Sequence, residues 1–133
     1  MSRFLLALLG LLLPQTAPSD THGSLSSQTE VVDRVAEDVR HFQTEREPRQ
    51  RIVLLKRLGP IRDPRVVVAM MERVVLDENA DPGELMLASW MVVRYQIPPD
   101  AKLAIGAKYW TIARLWWGEN EVEVRRRAER LPK

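Results

Sequence analysis

The sequence predicts an all-α protein, a short α-solenoid of about three antiparallel helix pairs. Beyond residue 28 the apolar residues recur with the period of a helix, and no stretch alternates apolar and polar residues as a strand would. Prolines that suit the first position of a helix stand at Pro48, Pro64, Pro82 and Pro99, one every 16 to 18 residues. Two such intervals make about 34 residues, which is the length of a helix-pair repeat.

The apolar stripes place six helices, which we pair in chain order. In the first of them, Val31, Val35, Val39 and Phe42 form one stripe while charged residues fill the other side, as in an amphipathic helix. The fifth is apolar nearly all round. The six predicted helices span residues 29–45, 48–58, 64–77, 82–95, 99–117 and 120–131.

Two links between these helices carry the same stop and start signals. In the link LGPIRDPRVV (58–67), Gly59 can take the left-handed conformation that closes a helix. An aspartate then caps the next helix, and a proline fits its first position. In the second link, Asp81 and Pro82 repeat this pair, and Glu84 stands at the third helical position, which predicts a capping box. The predicted caps are Asp63, Pro64, Asp81, Pro82 and Glu84.

The composition limits the classes of function. The chain has 133 residues, 45% of them hydrophobic and 29% charged, which suits one domain with a real core. The absence of cysteine excludes disulfides, thiolate metal sites and thiol catalysis. The net charge of +2 gives no strong electrostatic case for nucleic acid or an anionic membrane. We therefore expect no cofactor, no metal and no nucleic-acid partner.

The N-terminus has the layout of a secretory signal peptide. A short basic start precedes the apolar run FLLALLGLLL (4–13), and a proline then ends the run. Ten apolar residues are about half of what a membrane-spanning helix needs. We assign 1–17 to a signal peptide, 18–28 to a flexible leader and 29–133 to the helical domain. We expect an extracytoplasmic protein, periplasmic or secreted, whose one membrane contact would be an uncleaved signal segment.

Part of the chain resembles a known repeat family. The segment LGPIRDPRVVVAMMERVVLDENADP (58–82) resembles the HEAT-repeat pattern in its short bacterial form, with Leu-Gly ending one repeat and Asp-Pro-Arg opening the next. NEVEVRRRAERL (120–131) is similar to the second helix of such a repeat, with Val124 and Ala128 at the family's positions. The resemblance covers 48–131 and implies a right-handed stack of helix pairs that mostly binds rather than catalyses. The family also includes lyases and glycosylase-like enzymes, so fold alone does not decide function.

Two patterns that could carry chemistry fail on their spacing. Residues 77–81 match the first half of a calcium loop, but Pro82 stands where the sharp turn needs glycine and Ala88 where a bidentate glutamate belongs. The only histidines, His22 and His41, have no partners at the spacing of a metal site or a catalytic pair. We interpret 77–81 as an acidic turn and His41 as an exposed residue near a helix end.

An aromatic and basic edge near the C-terminus is the candidate binding feature. Six Trp and Tyr residues fall within 28 positions. We expect Trp90, Tyr109 and Trp110 to pack in the core. The adjacent Trp116 and Trp117 differ by about 100° around a helix, so we expect one of them to be an exposed anchor. The candidate binding residues are Arg114, Trp116, Trp117, Arg125, Arg126 and Arg127.

The last predicted helix begins with acidic residues and ends with basic ones, which complements the helix dipole. Glu121 with Arg125, and Glu123 with Arg127, are favourable pairs four residues apart. The end of the chain is therefore either a solvated cap on an open solenoid or a basic docking patch.

We predict an exported, non-catalytic protein–protein interaction module, a HEAT-like scaffold or adaptor whose partner is an unknown protein. Stacked repeats give an extended surface, and the sequence offers no convergent titratable groups with recognisable spacing. Open ends of such a stack also allow self-association. Two alternatives stand: a HEAT-like nucleic-acid-binding or base-repair-type protein, and an enzyme of unknown substrate that uses carboxylates such as Glu84 or Asp81.

Overall fold

The computed structural model describes residues 34–133, and this part of the chain contains five helices and no strand. The all-α prediction is therefore confirmed for the described residues. The predicted signal peptide and leader lie outside them. The helices are α1 (34–44), α2 (Pro48–Leu58), α3 (Pro64–Met70, continued by a π-helical turn, Met71–Val75), α4 (Pro82–Met91, continued by a π-helical turn, Val92–Gln96) and α5 (Tyr109–Glu129).

Capping carboxylates and prolines begin three of these helices. The Asp63 carboxylate accepts a hydrogen bond from the main-chain N–H of Arg65 at 2.8 Å, and Asp81 accepts from the N–H of Glu84 at 3.1 Å. Glu47 does the same for α2, and each helix has proline at its first position. Each cap satisfies an N–H group that has no partner within the helix.

Glu84 does not complete the predicted capping box. Its side chain is 2% exposed, and its carboxylate accepts from Nη2 of Arg51 at 2.6 Å. The third position of α4 faces α2, so the carboxylate meets an arginine across the interface instead of reaching back along its own helix.

Gly59 does not close α2 in the predicted left-handed conformation. Its φ and ψ are −51° and −42°, which is right-handed helical geometry, and its N–H donates to the Leu55 carbonyl at 2.8 Å. The structure gives another reason for glycine here. A Cβ at this position would lie 2.5 Å from both Sδ and Cε of Met91. The missing side chain therefore lets α4 approach the end of α2 closely.

Helices α2 and α4 run side by side in the same direction. Their first turns are joined by the Arg51–Glu84 ion pair. At the other end, the Gln96 amide donates to the main-chain oxygens of Gly59 at 2.6 Å and Ile61 at 2.7 Å. Contacts at both ends fix this direction.

The predicted pair of helices at 99–117 and 120–131 is wrong, because one helix, α5, replaces both. Residues 99–108 are not helical, and Gly106 has a positive φ of 79°, which a right-handed helix does not admit. Gly118 does not interrupt α5, since the buried Trp117 before it and Val124 after it hold the helix against the core.

Helix α5 runs antiparallel to α3. Arg65, in the first turn of α3, donates to the Pro132 carbonyl just beyond the end of α5, at 2.7 Å. Arg114, near the start of α5, donates through Nε to the Val75 carbonyl at the end of the α3 π-turn, at 2.9 Å. The last helix thus lies along α3 in the opposite direction. Among residues 34–133, no helix has both the length and the apolar character needed to cross a membrane.

Candidate functional site

The aromatic residues are distributed differently from the prediction. Both Trp116 and Trp117 are buried, the latter to 3% exposure, so neither is an exposed anchor. Trp90 and Tyr109, predicted to lie in the core, are exposed. For Tyr109, Trp116 and Trp117 the cause is the position of α5. Because the helix begins at Tyr109, that residue lies in its exposed first turn, and the two tryptophans fall on the stretch packed against α3 and α4.

The predicted basic cluster is split between two sides of α5. Val124 is buried against the core. On a helix, Arg125 and Arg127 lie on opposite flanks of that position, and Arg126 points away from it. Arg125 lines one cavity and Arg127 lines another. Arg114, the remaining predicted basic residue, makes the bond to α3 given above.

Acidic partners hold two of these arginines. Arg125 donates to Glu121 at 2.8 Å, pairs with Glu72 at 2.9 Å, and lies 5.4 Å from the ring centroid of Trp117. Hydrogen bonding to Glu121 raises the pKa of Arg125. Arg126 pairs with Glu123 at 2.7 Å. The sequence spacing predicts instead that Glu123 pairs with Arg127.

The first cavity is a groove of about 320 Å³ between α1, α3 and the C-terminal end of α5. Its floor is made of small and branched apolar side chains, and its rim carries three arginines, one from each helix. We call it the arginine groove. It is lined by Ala36, Val39, Arg40, Gln43, Arg65, Val68, Arg125, Ala128, Glu129, Pro132 and Lys133.

Asp63 fixes the orientation of one rim arginine. Its carboxylate accepts from Nε of Arg65 at 3.0 Å and from Nη2 at 2.7 Å, besides capping α3. This hydrogen bonding raises the pKa of Arg65. The remaining nitrogen, Nη1, points into the groove and donates to the Pro132 carbonyl at 2.7 Å. A two-point clamp of this kind presets the direction of the third donor.

Pro132 and Lys133, which follow the end of α5, form one wall of the groove. Arg65 binds the main-chain oxygen of Pro132, and Arg40, from α1, donates to the main-chain oxygen of Lys133. Both contacts are made to main-chain atoms, which every peptide possesses. The arrangement can therefore hold an extended segment without reading its side chains at these two points.

The sequence reasoning missed Arg40 and Arg65 as site residues. Arg65 stands in the Asp-Pro-Arg motif, whose adjacent carboxylate could have indicated a fixed guanidinium. Arg40 has no such signal, because it is one of several charged residues on the polar side of α1. Its role depends on where the chain end lies, which no local pattern shows.

The second cavity, of about 240 Å³, lies between the start of α3, the end of α4 and α5. It brings together Trp116 and Arg127, two of the predicted residues, which lie on the same flank of α5. Glu123 and Asp63 also line it, so its charges are mixed.

Three carboxylates in the acidic turn and beside His41, namely Asp77, Asp81 and Glu45, have structural partners. In the acidic turn, Asp77 accepts from the N–H of Asn79 at 2.9 Å, and Asp81 caps α4. His41 is exposed and contacts Glu45 at 2.9 Å. Within residues 34–133, no three His, Cys, Asp or Glu side chains gather as metal ligands would.

Comparison of the chain with models of protein families, with curated proteins and with solved structures finds no match. The HEAT-repeat resemblance therefore rests on the sequence motifs alone. The arginine groove is the best-defined candidate site, because fixed donors and an apolar floor meet there.

Proposed function

We propose that the protein is an exported, non-catalytic interaction module that binds an extended segment of a partner protein in the arginine groove. The observation that carries this proposal is the pair of hydrogen bonds from Arg40 and Arg65 to main-chain oxygens of residues 132 and 133. A partner segment offers the same oxygens. It would replace the chain's own end, and its apolar side chains would meet the floor of the groove.

The chemistry of the rim favours binding over proton transfer. Arginine keeps its proton throughout the physiological range and presents only donors. Asp63 fixes one of these donors before any partner arrives. Preorganised donors reduce the ordering cost of binding, which suits recognition.

A HEAT-like stack is part of the proposal. Two observations support it: α2 and α4 run parallel, and the hydrogen bonds between the two helix pairs join residues at a nearly constant separation in the sequence. Those bonds connect residues 33, 35 and 37 positions apart, close to the repeat length indicated by the prolines. In this arrangement α1–α2 and α3–α4 are two repeats, and the antiparallel α5 covers the end of the stack as a cap.

Export is also part of the proposal and is supported by the N-terminal sequence. N-terminal sequencing of protein recovered outside the cytoplasm tests it directly. A mature chain that begins near residue 18 is the expected result. An intact Met1 on cytoplasmic protein would contradict export and leave the groove proposal standing.

Peptide binding by the arginine groove can be tested with the chain's own end. A chain that stops at Arg130 lacks residues 132 and 133 and so frees Arg40 and Arg65 from these bonds. A labelled peptide with the sequence ERLPK (129–133) serves as the probe. Fluorescence anisotropy should show saturable binding to the shortened chain and weaker binding to the full chain, in which residues 131–133 compete.

Variants of the shortened chain locate the binding. Arg40→Ala removes one charge-assisted bond and should weaken the peptide about tenfold, which corresponds to ~1.4 kcal/mol. Arg57→Ala is the matched control, because Arg57 is exposed and pairs only loosely with Asp38, at 3.7 Å. Absence of saturable binding by a folded shortened chain would refute the proposal, as would equal binding by the Arg40→Ala form.

A further inference from the structure

The connection between α4 and α5 carries a protruding apolar tip, residues 103–106. Ile105 is fully exposed and Leu103 is also exposed. Gly106 has a φ of 79°, and a Cβ added there would meet nothing within 4 Å. The tip therefore stands clear of the rest of the described chain, with its largest apolar side chain in solvent.

Two positive side chains flank this tip in the sequence, and the nearest acidic residues are Asp100 and Glu119. Residues 101–118 contain no aspartate or glutamate, and Lys102 and Lys108 flank the tip on either side. Both lysines are exposed. The small net charge of the whole chain conceals this local concentration, because most acidic residues lie elsewhere.

Aromatic residues lie at the base of the tip. Tyr109 is exposed, and Nζ of Lys108 lies 5.1 Å from the ring centroid of Trp110. Tyrosine and tryptophan side chains of this kind prefer the boundary between lipid head groups and acyl chains. An apolar tip, flanking lysines and a basal aromatic pair thus follow one another within nine residues, 102–110.

We propose that this tip, residues 103–106, inserts into the surface of an anionic lipid bilayer. Leu103 and Ile105 would enter the boundary of the acyl chains, and Lys102 and Lys108 would contact anionic head groups. A bilayer surface fits the tip better than a protein does. The tip is short and convex, and a bilayer accepts such a shape without a matching pocket. This proposal is independent of peptide binding in the arginine groove.

The absence of cysteine allows a test at a single position. Ala104→Cys, labelled with an environment-sensitive fluorophore, places the probe in the tip while keeping Leu103 and Ile105. Val122→Cys is the matched control, because Val122 is exposed on α5 and lies outside the tip. Vesicles of phosphatidylcholine with and without phosphatidylglycerol are then added to the full chain carrying either label.

The label at 104 should shift to shorter wavelength with anionic vesicles and remain unchanged with phosphatidylcholine alone. The label at 122 should not shift. Ile105→Ser should abolish the shift at 104. The double variant Lys102→Gln with Lys108→Gln should raise the lipid concentration required for the shift at least tenfold. Membrane binding through the N-terminal apolar run does not depend on Ile105, so the Ile105→Ser variant distinguishes it from insertion of the tip.

Three outcomes would overturn the proposal. One is no shift at 104 with anionic vesicles, and another is an equal shift with uncharged vesicles. The third is an unchanged shift after Ile105→Ser. Self-association that depends on Ile105, observed without any lipid effect, would assign the tip to a protein contact.

Discussion

Arg51 donates to the carboxylate of Glu84 at 2.6 Å, and this ion pair joins the first turns of α2 and α4. Glu84 is almost completely buried, and Arg51 is largely so. Nε of Arg51 is also buried and has no hydrogen-bond partner among the described residues. The pair therefore fixes the alignment of two helices while leaving one of its own donors unsatisfied.

Removing one member of this ion pair should lower the free energy of unfolding much more than replacing both. Arg51→Ala should lower the free energy of unfolding by about 3 kcal/mol, because it leaves the Glu84 carboxylate buried without its partner. Replacing both residues by methionine should lower it less. Urea unfolding followed by circular dichroism measures both values. Arg57→Ala, an exposed control, should change it by less than ~1 kcal/mol; an equally small change for Arg51→Ala would contradict this account.

Alanine at position 59 should be tolerated better when Met91 is shortened. Gly59→Ala should destabilise the fold by about 1–3 kcal/mol, since the new Cβ overlaps the Met91 side chain. Combining it with Met91→Ala relieves the overlap. The double variant should therefore lose less stability than the sum of the losses in the two single variants. Thermal unfolding of all four proteins measures these losses. Simple additivity would show that the close approach does not determine this glycine.

The buried Trp117 and the exposed Trp90 should differ in how much each contributes to stability. Trp117→Ala should lower the free energy of unfolding by about 3–5 kcal/mol, as expected for a large side chain removed from a core. Trp90→Ala, at an exposed position, should have a much smaller effect. Chemical unfolding of the two variants provides the comparison. Similar losses in both would mean that Trp117 is not the core residue described above.

The two aspartate caps should differ in their effect on the arginine groove. Asp81→Ala should cost about 1 kcal/mol of stability and leave ERLPK binding by the shortened chain unchanged. Asp63→Ala loses a similar cap and also releases Arg65, so it should weaken that peptide as well. Asp63→Asn keeps a capping oxygen and tests the clamp alone. Equal peptide affinity in all three variants would show that Asp63 does not orient Arg65.

Glu45 should titrate below its usual range. The main-chain N–H of Glu47, at 3.1 Å, and then the His41 ring, at 2.9 Å, lower the pKa of this carboxyl. Its stabilising contribution is therefore present above the unfolded pKa, about 4.3, and is lost as pH falls through the folded pKa.

A carbon-13 NMR titration of the Glu45 carboxyl measures this pKa directly. His41→Ala should raise the pKa partway, because the Glu47 donor remains. A pKa in the unfolded range for the unmodified protein, or a complete return to it in the variant, would contradict the assignment of causes.

Local signals predicted the helices well where proline and aspartate define their starts. Pro48, Pro64 and Pro82 each begin a helix at the expected residue. Pro99 does not: residues 99–108 are mostly exposed, form no helix and turn through Gly106. A proline permits a helix start, but packing decides whether the helix forms.

The site was harder to predict because its parts come from distant positions. The basic residues of α5 were visible in the sequence, but their division between two grooves depends on Val124 facing the core. The pairing of Arg40 and Arg65 with the chain end joins residues 93 and 67 positions apart. Such contacts follow from tertiary packing, and no periodic pattern in the sequence indicates them.

Both α3 and α4 end in a π-helical turn, Met71–Val75 and Val92–Gln96. A turn of this kind holds about one residue more than an α-turn, and here it is the last turn before the chain leaves the helix. Because each π-turn lies at a helix end, a residue added or removed there shifts no later residue of the same helix. Length changes at these two places would therefore alter the link that follows and leave the packed part of each helix in register.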